Sequence, residues 1–227
     1  MRVFGKNVFS ELTKNPKQIN KVYLSNSFHD QEVIKFIKEN HISFVSIDNN
    51  KLNSLVEGNH QGIVAEINDY IYGDINDAMQ SDKIVILDHL EDPHNFGAII
   101  RTCECAGINR IIIPKDRSVK VNETVMKTSS GALSNVTICM VSNLVNTIEK
   151  LKDNNYFIYG ADMDGTNYKN VNYTDKVALI IGNEGNGISS LVAKKCDEIV
   201  SLPMYGEINS LNASVAAGIL IYDLIGR

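Results

Sequence analysis

The chain has 227 residues, of which 44% are hydrophobic and 22% charged, and its formal net charge is −5 at pH 7. Such a composition is typical of a globular protein with one large or two small domains and a sizeable core, and the net charge taken alone argues mildly against a nucleic-acid partner. The longest apolar run near the C-terminus, Val215 to Ile225, has 11 residues, far fewer than the roughly 20 that a membrane span needs, so it predicts a buried helix.

The N-terminal part, residues 1–70, is predicted to be a small α/β domain. Its apolar spacing alternates between the periods of helix and strand. The stretch that follows is polar and weakly periodic, so we expect residues 71–82 to link two domains, although residues 75–79 have the spacing of a short helix. The predicted helices are Phe4–Leu12 and Asp30–Glu39, and the predicted strands are Lys21–Ser25, Ile42–Ile47 and Gly62–Ile67.

Residues 83–227 alternate strand and helix patterns, which predicts a mostly parallel sheet covered on both faces. The predicted strands are Ile84–Leu90, Arg110–Ile113, Val136–Val141, Tyr156–Tyr159, Val177–Ile181 and Ile199–Leu202. The first predicted helix begins at Phe96, after a capping turn at residues 92–95. The other predicted helices are Glu123–Leu133, Leu144–Lys152 and Ser210–Ile225.

Two predicted strands end abruptly in glycine-rich or polar residues. Val177–Ile181 stops at a turn with Gly182, Gly185 and Gly187, and Ile199–Leu202 stops at a Pro-Met-Tyr-Gly turn. Because ligands bind at the carboxyl ends of strands in open α/β sheets, we expect the site here. The order G-x-x-G-x-G is not the dinucleotide order, so a nucleotide site and a plain glycine-rich turn both remain open.

Two polar residues of the helix after the first strand of this domain are candidates for the site. Asn95 is expected at the mouth of the helix, with its side chain partly occupied in capping. Arg101 lies in an otherwise apolar helix, where an arginine is costly to bury unless it is paired. An internal pair with Glu184 and a clamp for a phosphate or carboxylate are both consistent with the sequence.

A local excess of positive charge follows the next strand. It can form a phosphate-facing surface, but a solvated loop explains it equally well. The residues are Arg110, Lys115, Arg117, Lys120 and Lys127, against Asp116 and Glu123.

The four cysteines form no CxxC pair and show no zinc-ligand spacing with the five histidines, so we expect free thiols and no metal. The first 17 residues contain no apolar stretch typical of a secretion signal. Both observations favour the reducing cytoplasm.

Three long motifs then identify a family. Residues 95–107 (NFGAIIRTCECAG), 179–189 (LIIGNEGNGIS) and 201–219 (SLPMYGEINSLNASVAAGI) resemble, in this order, the motifs of the SpoU or TrmH-type RNA ribose 2′-O-methyltransferases. Residues 111–133 resemble the RlmB branch, which methylates a guanosine ribose in 23S rRNA. FGKNVF and NHQGIVA in the N-terminal part resemble the L30e-like substrate-binding domain of that branch.

The resemblance implies an α/β fold with a C-terminal trefoil-knot (SPOUT) methyltransferase domain at residues 83–227, an L30e-like RNA-binding domain at residues 1–70, and a homodimer. It also implies S-adenosylmethionine as the cofactor, RNA as the partner, and neither DNA nor a membrane. The cofactor-binding positions that it implies are Gly160, Ala161, Ile181, Gly182, Leu202, Met204, Leu211 and Ser214.

The same resemblance implies catalytic residues and residues that contact the RNA. The implied catalytic residues are Asn95, Arg101, Glu184, Ser210 and Asn212, and the residues expected to contact the RNA are Lys115, Arg117 and Lys120. Arg101 is expected to hold the target phosphate. His94, just before the first motif, is the less suitable candidate for a base, since histidines in turns are usually structural.

Two rival functions stay open at this stage. One is a sister enzyme of the same fold that acts on tRNA or on another rRNA site, including an adenosine whose methylation confers antibiotic resistance. The other is an RNA-binding or ribosome-assembly protein without turnover, against which the five intact catalytic positions argue.

Overall fold

The computed structural model describes residues 1–226, so Arg227, the last residue of the predicted catalytic domain, lies outside the described chain. Two compact units are present. Unit 1 contains residues 1–71 and 121–131, and unit 2 contains residues 72–120 and the chain from Ala132 onward.

Unit 1 is built on a mixed sheet with the strand order β1-β4-β2-β3, in which β2 and β3 are parallel and the other pairs antiparallel. The sequence patterns missed the short β1 and α3. The helix expected from Phe4 begins at Lys6, because Gly5 takes a φ of 91° and Phe4 pairs with Val64 in the sheet. The elements are β1 (Arg2–Phe4), α1 (Lys6–Leu12), β2 (Ile19–Ser25), α2 (Gln31–Glu39), β3 (Phe44–Ile47), α3 (Asn49–Asn53) and β4 (Ile63–Ile67).

The rest of the chain supplies unit 2 and one helix of unit 1. The elements are α4 (Ile75–Ala78), β5 (Lys83–Leu87), α5 (Pro93–Cys105), β6 (Arg110–Pro114), α6 (Glu123–Ser129), β7 (Thr137–Val141), α7 (Leu144–Asp153), β8 (Phe157–Asn167), β9 (Val177–Ile181), α8 (Ser190–Ala193), β10 (Glu198–Ser201) and α9 (Ala213–Ile225). The sheet of unit 2 has the order β10-β8-β9-β5-β6-β7, and all of its pairings are parallel. The predicted α/β class with a mostly parallel sheet is therefore confirmed.

The central strands explain why the sheet of unit 2 is stable. Every residue of β9 is at most 2% exposed, and residues 84–87 of β5 are at most 1% exposed. Continuous apolar runs of this kind are what a sheet covered on both faces requires.

The boundaries of the two units differ from the predicted ones. The expected linker is built into unit 2 from Tyr72 onward, since the amide of Gly73 donates to Ile138 O at 3.0 Å and Gly73 O accepts from Met140 N at 2.9 Å. Helix α6 packs in unit 1, where Lys127 Nζ lies 5.3 Å from the ring centroid of Phe4. The helix expected over Glu123–Leu133 ends at Ser129, because Ser130 has a positive φ.

No helix within residues 1–226 is both long enough and apolar enough to span a membrane.

Candidate functional site

The carboxyl ends of β9 and β10 and the middle of β8 surround a cavity of about 310 Å³, which we call the strand-end cavity. Its walls come from three stretches far apart in the sequence. These are residues 161–163, 181–187 and 209–211, together with Val200, Leu202, Met204, Ala213, Ala216 and Leu220. Six of the eight predicted cofactor positions and two of the five catalytic positions therefore line one cavity: Ala161, Ile181, Gly182, Leu202, Met204, Leu211, Glu184 and Ser210.

The first wall is a break in strand pairing. The register between β8 and β10 passes from Gly160 opposite Ile199 to Thr166 opposite Val200, so residues 161–165 loop out of the pairing. The predicted strand Tyr156–Tyr159 is thus the beginning of a longer strand. Bulges of this kind often redirect side chains near a site.

The second wall is the glycine-rich turn after β9. Asn183 and Gly187 exchange two backbone hydrogen bonds of 3.0 Å each, which closes the turn. A Cβ on Gly182 would lie 2.1 Å from the carbonyl carbon of Gly187, and Gly187 has a φ of 63°. The close backbone approach and the positive φ therefore require glycine at both positions, whatever the cavity binds.

A buried carboxylate ties this turn to the end of β5. Asp88, which is 1% exposed, accepts from Ser189 N at 2.7 Å and contacts His89 Nδ1 at 2.5 Å. Asn183 Nδ2 donates to His89 O at 3.0 Å. The sequence reasoning missed Asp88, although a carboxylate inside the apolar run Ile84–Leu90 was a signal that it has specific partners.

The cap of α5 is Asp92, and the expected cap at Asn95 was wrong. Asp92 Oδ1 accepts from His94 N at 2.6 Å and from Asn95 N at 2.9 Å, with Pro93 in the first turn. The side chain of Asn95 is thereby released from capping, and its Nδ2 donates to Glu184 Oε1. This contact joins the helix to a residue that lines the strand-end cavity.

Arg101 is exposed on α5, and its guanidinium makes no hydrogen bond or ion pair with any residue of the described chain. The internal pair with Glu184 is not formed, because Glu184 contacts Asn95 instead. A guanidinium without a protein partner is available for an anion from solution.

The third wall leads into α9, which begins at Ala213 rather than at Ser210. Asn212 is its N-cap, and its Oδ1 accepts from Ser214 N at 3.0 Å and from Ser214 Oγ at 2.6 Å. The oxygen of Asn212 is therefore occupied, and its Nδ2 is the group that it can offer to a ligand.

Gly160 and Ser214 lie outside the cavity lining. A Cβ on Gly160 would meet Cys196 Sγ at 2.7 Å and Ile188 Cδ1 at 2.8 Å, so packing explains this glycine. Burial raises the pKa of the Cys196 thiol to about 11, which keeps the thiol neutral in this contact.

The three predicted RNA-contacting side chains, Lys115, Arg117 and Lys120, are exposed on the loop after β6. None of them pairs with another residue within 1–226. The loop is held beside the segment before α5, since Leu90 O accepts from Val119 N at 2.8 Å and from Ser118 Oγ at 3.3 Å.

The cavity carries negative charge that the sequence reasoning did not foresee. Asp162 and Glu184 line it, whereas none of its lining residues is a lysine, an arginine or a histidine. Asp162 Oδ1 accepts from Met163 N at 2.6 Å, and its Oδ2 has no partner in the part of the chain that the structure describes. Together with the apolar walls, this suits a ligand that is partly apolar and carries a positive charge.

The side chains of residues 1–226 form no cluster of three or more histidine, cysteine or acidic groups able to hold a metal ion.

Comparisons with family models and with known proteins all find RNA methyltransferases. The model of the SpoU rRNA Methylase family matches residues 82–222, and the model of the RNA 2′-O ribose methyltransferase substrate-binding domain matches residues 2–73. A protein of Staphylococcus haemolyticus assigned to the TrmH family of tRNA/rRNA methyltransferases is 38% identical, with 98% of this chain and 94% of the relative covered.

Solved structures share the fold. The SpoU methyltransferase AviRb of Streptomyces viridochromogenes, crystallised with AdoMet, superposes with a TM-score of 0.87 at 21% identity, covering 100% of this chain and 89% of that one. The TrmH/SpoU tRNA modifying enzyme of A. aeolicus is 33% identical with a TM-score of 0.58, covering 65% of this chain and 75% of that one.

Proposed function

The chain belongs to the SpoU rRNA methylase family, and from this premise we propose that it transfers the methyl group of S-adenosylmethionine to the 2′-hydroxyl of a guanosine ribose in 23S rRNA. The observation that carries the proposal is the hydrogen bond from Asn95 to Glu184. It joins a polar residue of α5 to a residue that lines the strand-end cavity, so two of the expected catalytic positions, Asn95 and Glu184, lie together beside the expected cofactor site.

The strand-end cavity fits the cofactor. Its volume of about 310 Å³ lies at the lower end of the roughly 300–1,000 Å³ of ligand pockets. Leu202, Met204 and Leu211 offer apolar contact for an adenine, and Gly182 allows close approach to the backbone. When bound, S-adenosylmethionine supplies an activated methyl group on a positively charged sulfur, and the free Oδ2 of Asp162 places negative charge in the same cavity.

Arg101 holds the phosphate next to the target ribose. Its guanidinium is exposed and unpaired within the described chain, and the planar group suits two phosphate oxygens at once. Glu184, held by Asn95, and Ser210 in the cavity wall position the ribose. Asn212 contributes its free Nδ2. Alignment of the hydroxyl with the methyl group is the main contribution of these residues.

The proton of the hydroxyl leaves to solvent or to the neighbouring phosphate. A guanidinium stays protonated in proteins, so Arg101 binds and orients rather than accepting the proton.

The loop that carries Lys115, Arg117 and Lys120 supplies positive charge for the RNA backbone, because all three side chains are exposed and unpaired with any residue from 1 to 226. The remaining contact comes from unit 1, whose sequence matches a substrate-binding family. An RNA substrate and the four free thiols both support a location in the cytoplasm.

A homodimer is supported by an apolar stripe on α9. Val215, Ile219 and Tyr222 are 49%, 37% and 51% exposed, and their spacing puts them on one face of the helix. A second copy that covers this stripe would remove it from water. We expect a dimer by light scattering, and the double variant Val215→Ser/Tyr222→Ser should be monomeric. The trefoil knot, which depends on how the chain passes through its own loops, stays a prediction.

The test of the function is methyl transfer from labelled S-adenosylmethionine to unmodified 23S rRNA, 16S rRNA and bulk tRNA, followed by primer extension to locate the modification. We expect one stop at a guanosine of 23S rRNA. Label in tRNA alone would instead support the tRNA function, which the 33% identity to a tRNA modifying enzyme favours as the second candidate. No label in any RNA would contradict both.

A further inference from the structure

Unit 1 contains a cavity of about 390 Å³ that the proposed chemistry does not use. We call it the amide cavity, because four of its lining side chains are carboxamides: Asn49, Asn53, Asn59 and Gln61. The two sequence motifs of the N-terminal part meet here, since FGKNVF supplies Lys6 and NHQGIVA supplies residues 59–62.

A hydrogen-bond chain fixes the orientation of one carboxamide. The amide N–H of Gly62 donates to His60 Nδ1 at 2.9 Å, so in the neutral ring Nδ1 carries the lone pair and the proton is on Nε2. His60 Nε2 then donates to Asn53 Oδ1 at 2.8 Å. With its oxygen occupied, Asn53 offers the two N–H groups of Nδ2, which have no partner within residues 1–226.

The backbone of the cavity is also held in place. Gln61 has a φ of 52° and Gly62 a φ of 82°, and Gln61 Oε1 accepts from Lys6 N at 3.0 Å. The loop of the second motif is thus tied to the beginning of α1. A polar cavity whose groups are already oriented loses little entropy when it binds a ligand.

The charge of the cavity argues against a phosphate. Lys6 is its only lysine or arginine, and Lys6 Nζ is paired with Asp30 Oδ2 at 2.9 Å. This hydrogen bond holds the pKa of Asp30 below its usual value, so the Asp30 carboxylate offsets the positive charge of Lys6 at physiological pH. The other polar side chains that line the cavity are carboxamides, hydroxyls and two imidazoles, none of which is a lysine or an arginine.

We propose that the amide cavity receives one unpaired nucleobase of the RNA substrate. Carboxamides match the paired donors and acceptors on the edges of bases, and proteins read RNA sequence mainly in unpaired loops, where such edges are accessible. Asn53 contacts the base, and His60 is a positioning residue that acts through Asn53. The inference rests on the proposed function, since it assumes an RNA substrate.

The test uses the full-length protein and a fluorescent stem–loop RNA with a randomised loop, compared with the same stem carrying an abasic loop. Wild type should bind the randomised loop about tenfold more tightly, as expected for one good base contact. Asn53→Ala should lose this difference and keep its affinity for the abasic RNA and for S-adenosylmethionine.

The matched control is Asn20→Ala, which removes an exposed asparagine of the same unit from outside the cavity lining and should keep the tenfold difference. Retention of the difference by Asn53→Ala, or its absence in wild type, would overturn the proposal. Methyl transfer by wild type to natural RNA is measured in parallel. Methyl transfer without a preference for the loop with bases would overturn only the base-binding proposal, whereas absence of methyl transfer would overturn the proposed function.

Discussion

The two cavities of this protein differ in what holds them together. The glycine-rich wall of the strand-end cavity is shaped by backbone, because Gly182 and Gly187 approach each other so closely that no side chain fits between them. The amide cavity is formed by side chains, with His60 bonded to Asn53 and Lys6 to Asp30. The first should therefore fail when a Cβ is added, and the second when a polar side chain is removed.

Their charges differ as well. The strand-end cavity has apolar walls and the carboxylates of Asp162 and Glu184, which suit a cation with an apolar part. The amide cavity is lined by carboxamides and imidazoles, and its one lysine is paired with Asp30, so it suits a neutral planar group. With both proposals, cofactor binding and base recognition take place in separate units of the chain.

Gly182→Val should have the largest effect. The new Cβ would lie 2.1 Å from the carbonyl carbon of Gly187 and 2.3 Å from Ile188 N, so the turn itself must move. We expect cofactor affinity to fall at least about hundredfold, together with a lower melting temperature, since backbone overpacking cannot relax into a side-chain shift. Calorimetry and thermal unfolding measure the two effects.

Gly206→Ala is the control for this variant, because a Cβ at Gly206 meets no atom within 4 Å. It should bind the cofactor like wild type. Normal affinity in Gly182→Val would show that the turn does not form the cavity.

Arg101→Ala should separate turnover from cofactor binding. The guanidinium is exposed and lies outside the lining of the strand-end cavity, so single-turnover methyl transfer should fall about hundredfold while cofactor affinity stays within about twofold, as expected for the loss of one charge-assisted phosphate contact. Arg101→Lys should recover part of the rate. A large loss of cofactor affinity in calorimetry would refute this division of roles.

Asp162→Asn tests the charge of the strand-end cavity. Removal of the negative charge should weaken S-adenosylmethionine about tenfold, which corresponds to about 1.4 kcal/mol. S-adenosylhomocysteine, whose sulfur is neutral, should lose much less. Equal losses for both ligands would show that Asp162 does not act on the charged sulfur.

His60→Ala should have the smallest effect. It removes the hydrogen bond that orients Asn53 but leaves Asn53 in place, so the preference for a loop with bases should fall about threefold, the size expected for one neutral hydrogen bond. Fluorescence anisotropy measures the preference. An unchanged preference would mean that Asn53 needs no positioning.

The strand-end cavity could be predicted in outline because its parts have local signatures. Apolar runs that stop at glycine or proline marked Gly182 and Leu202, and Asn212 lay in the first turn of the predicted helix Ser210–Ile225. The cap of α5 was misplaced because aspartate and asparagine are equally good caps, and only Pro93, which favours the first helical position, distinguishes Asp92 from Asn95.

The amide cavity could not be predicted in this way. Helix α3, which carries Asn49 and Asn53, has five residues and no apolar periodicity, so nothing in the sequence separates it from a loop. The pairing of His60 with Asn53 depends on how the chain folds between them. For the same reason, the packing of residues 121–131 in unit 1 had no signature in the sequence.

The most direct test of the separation is a cross-titration, in which wild type, Gly182→Val and Asn53→Ala are each titrated with S-adenosylmethionine and with the stem–loop RNA. We predict that Gly182→Val loses the cofactor and keeps its preference for a loop with bases, and that Asn53→Ala loses the preference and keeps the cofactor. The account would be contradicted if Asn53→Ala lost both the cofactor and the preference for a loop with bases. It would also be contradicted if both variants bound both ligands like wild type.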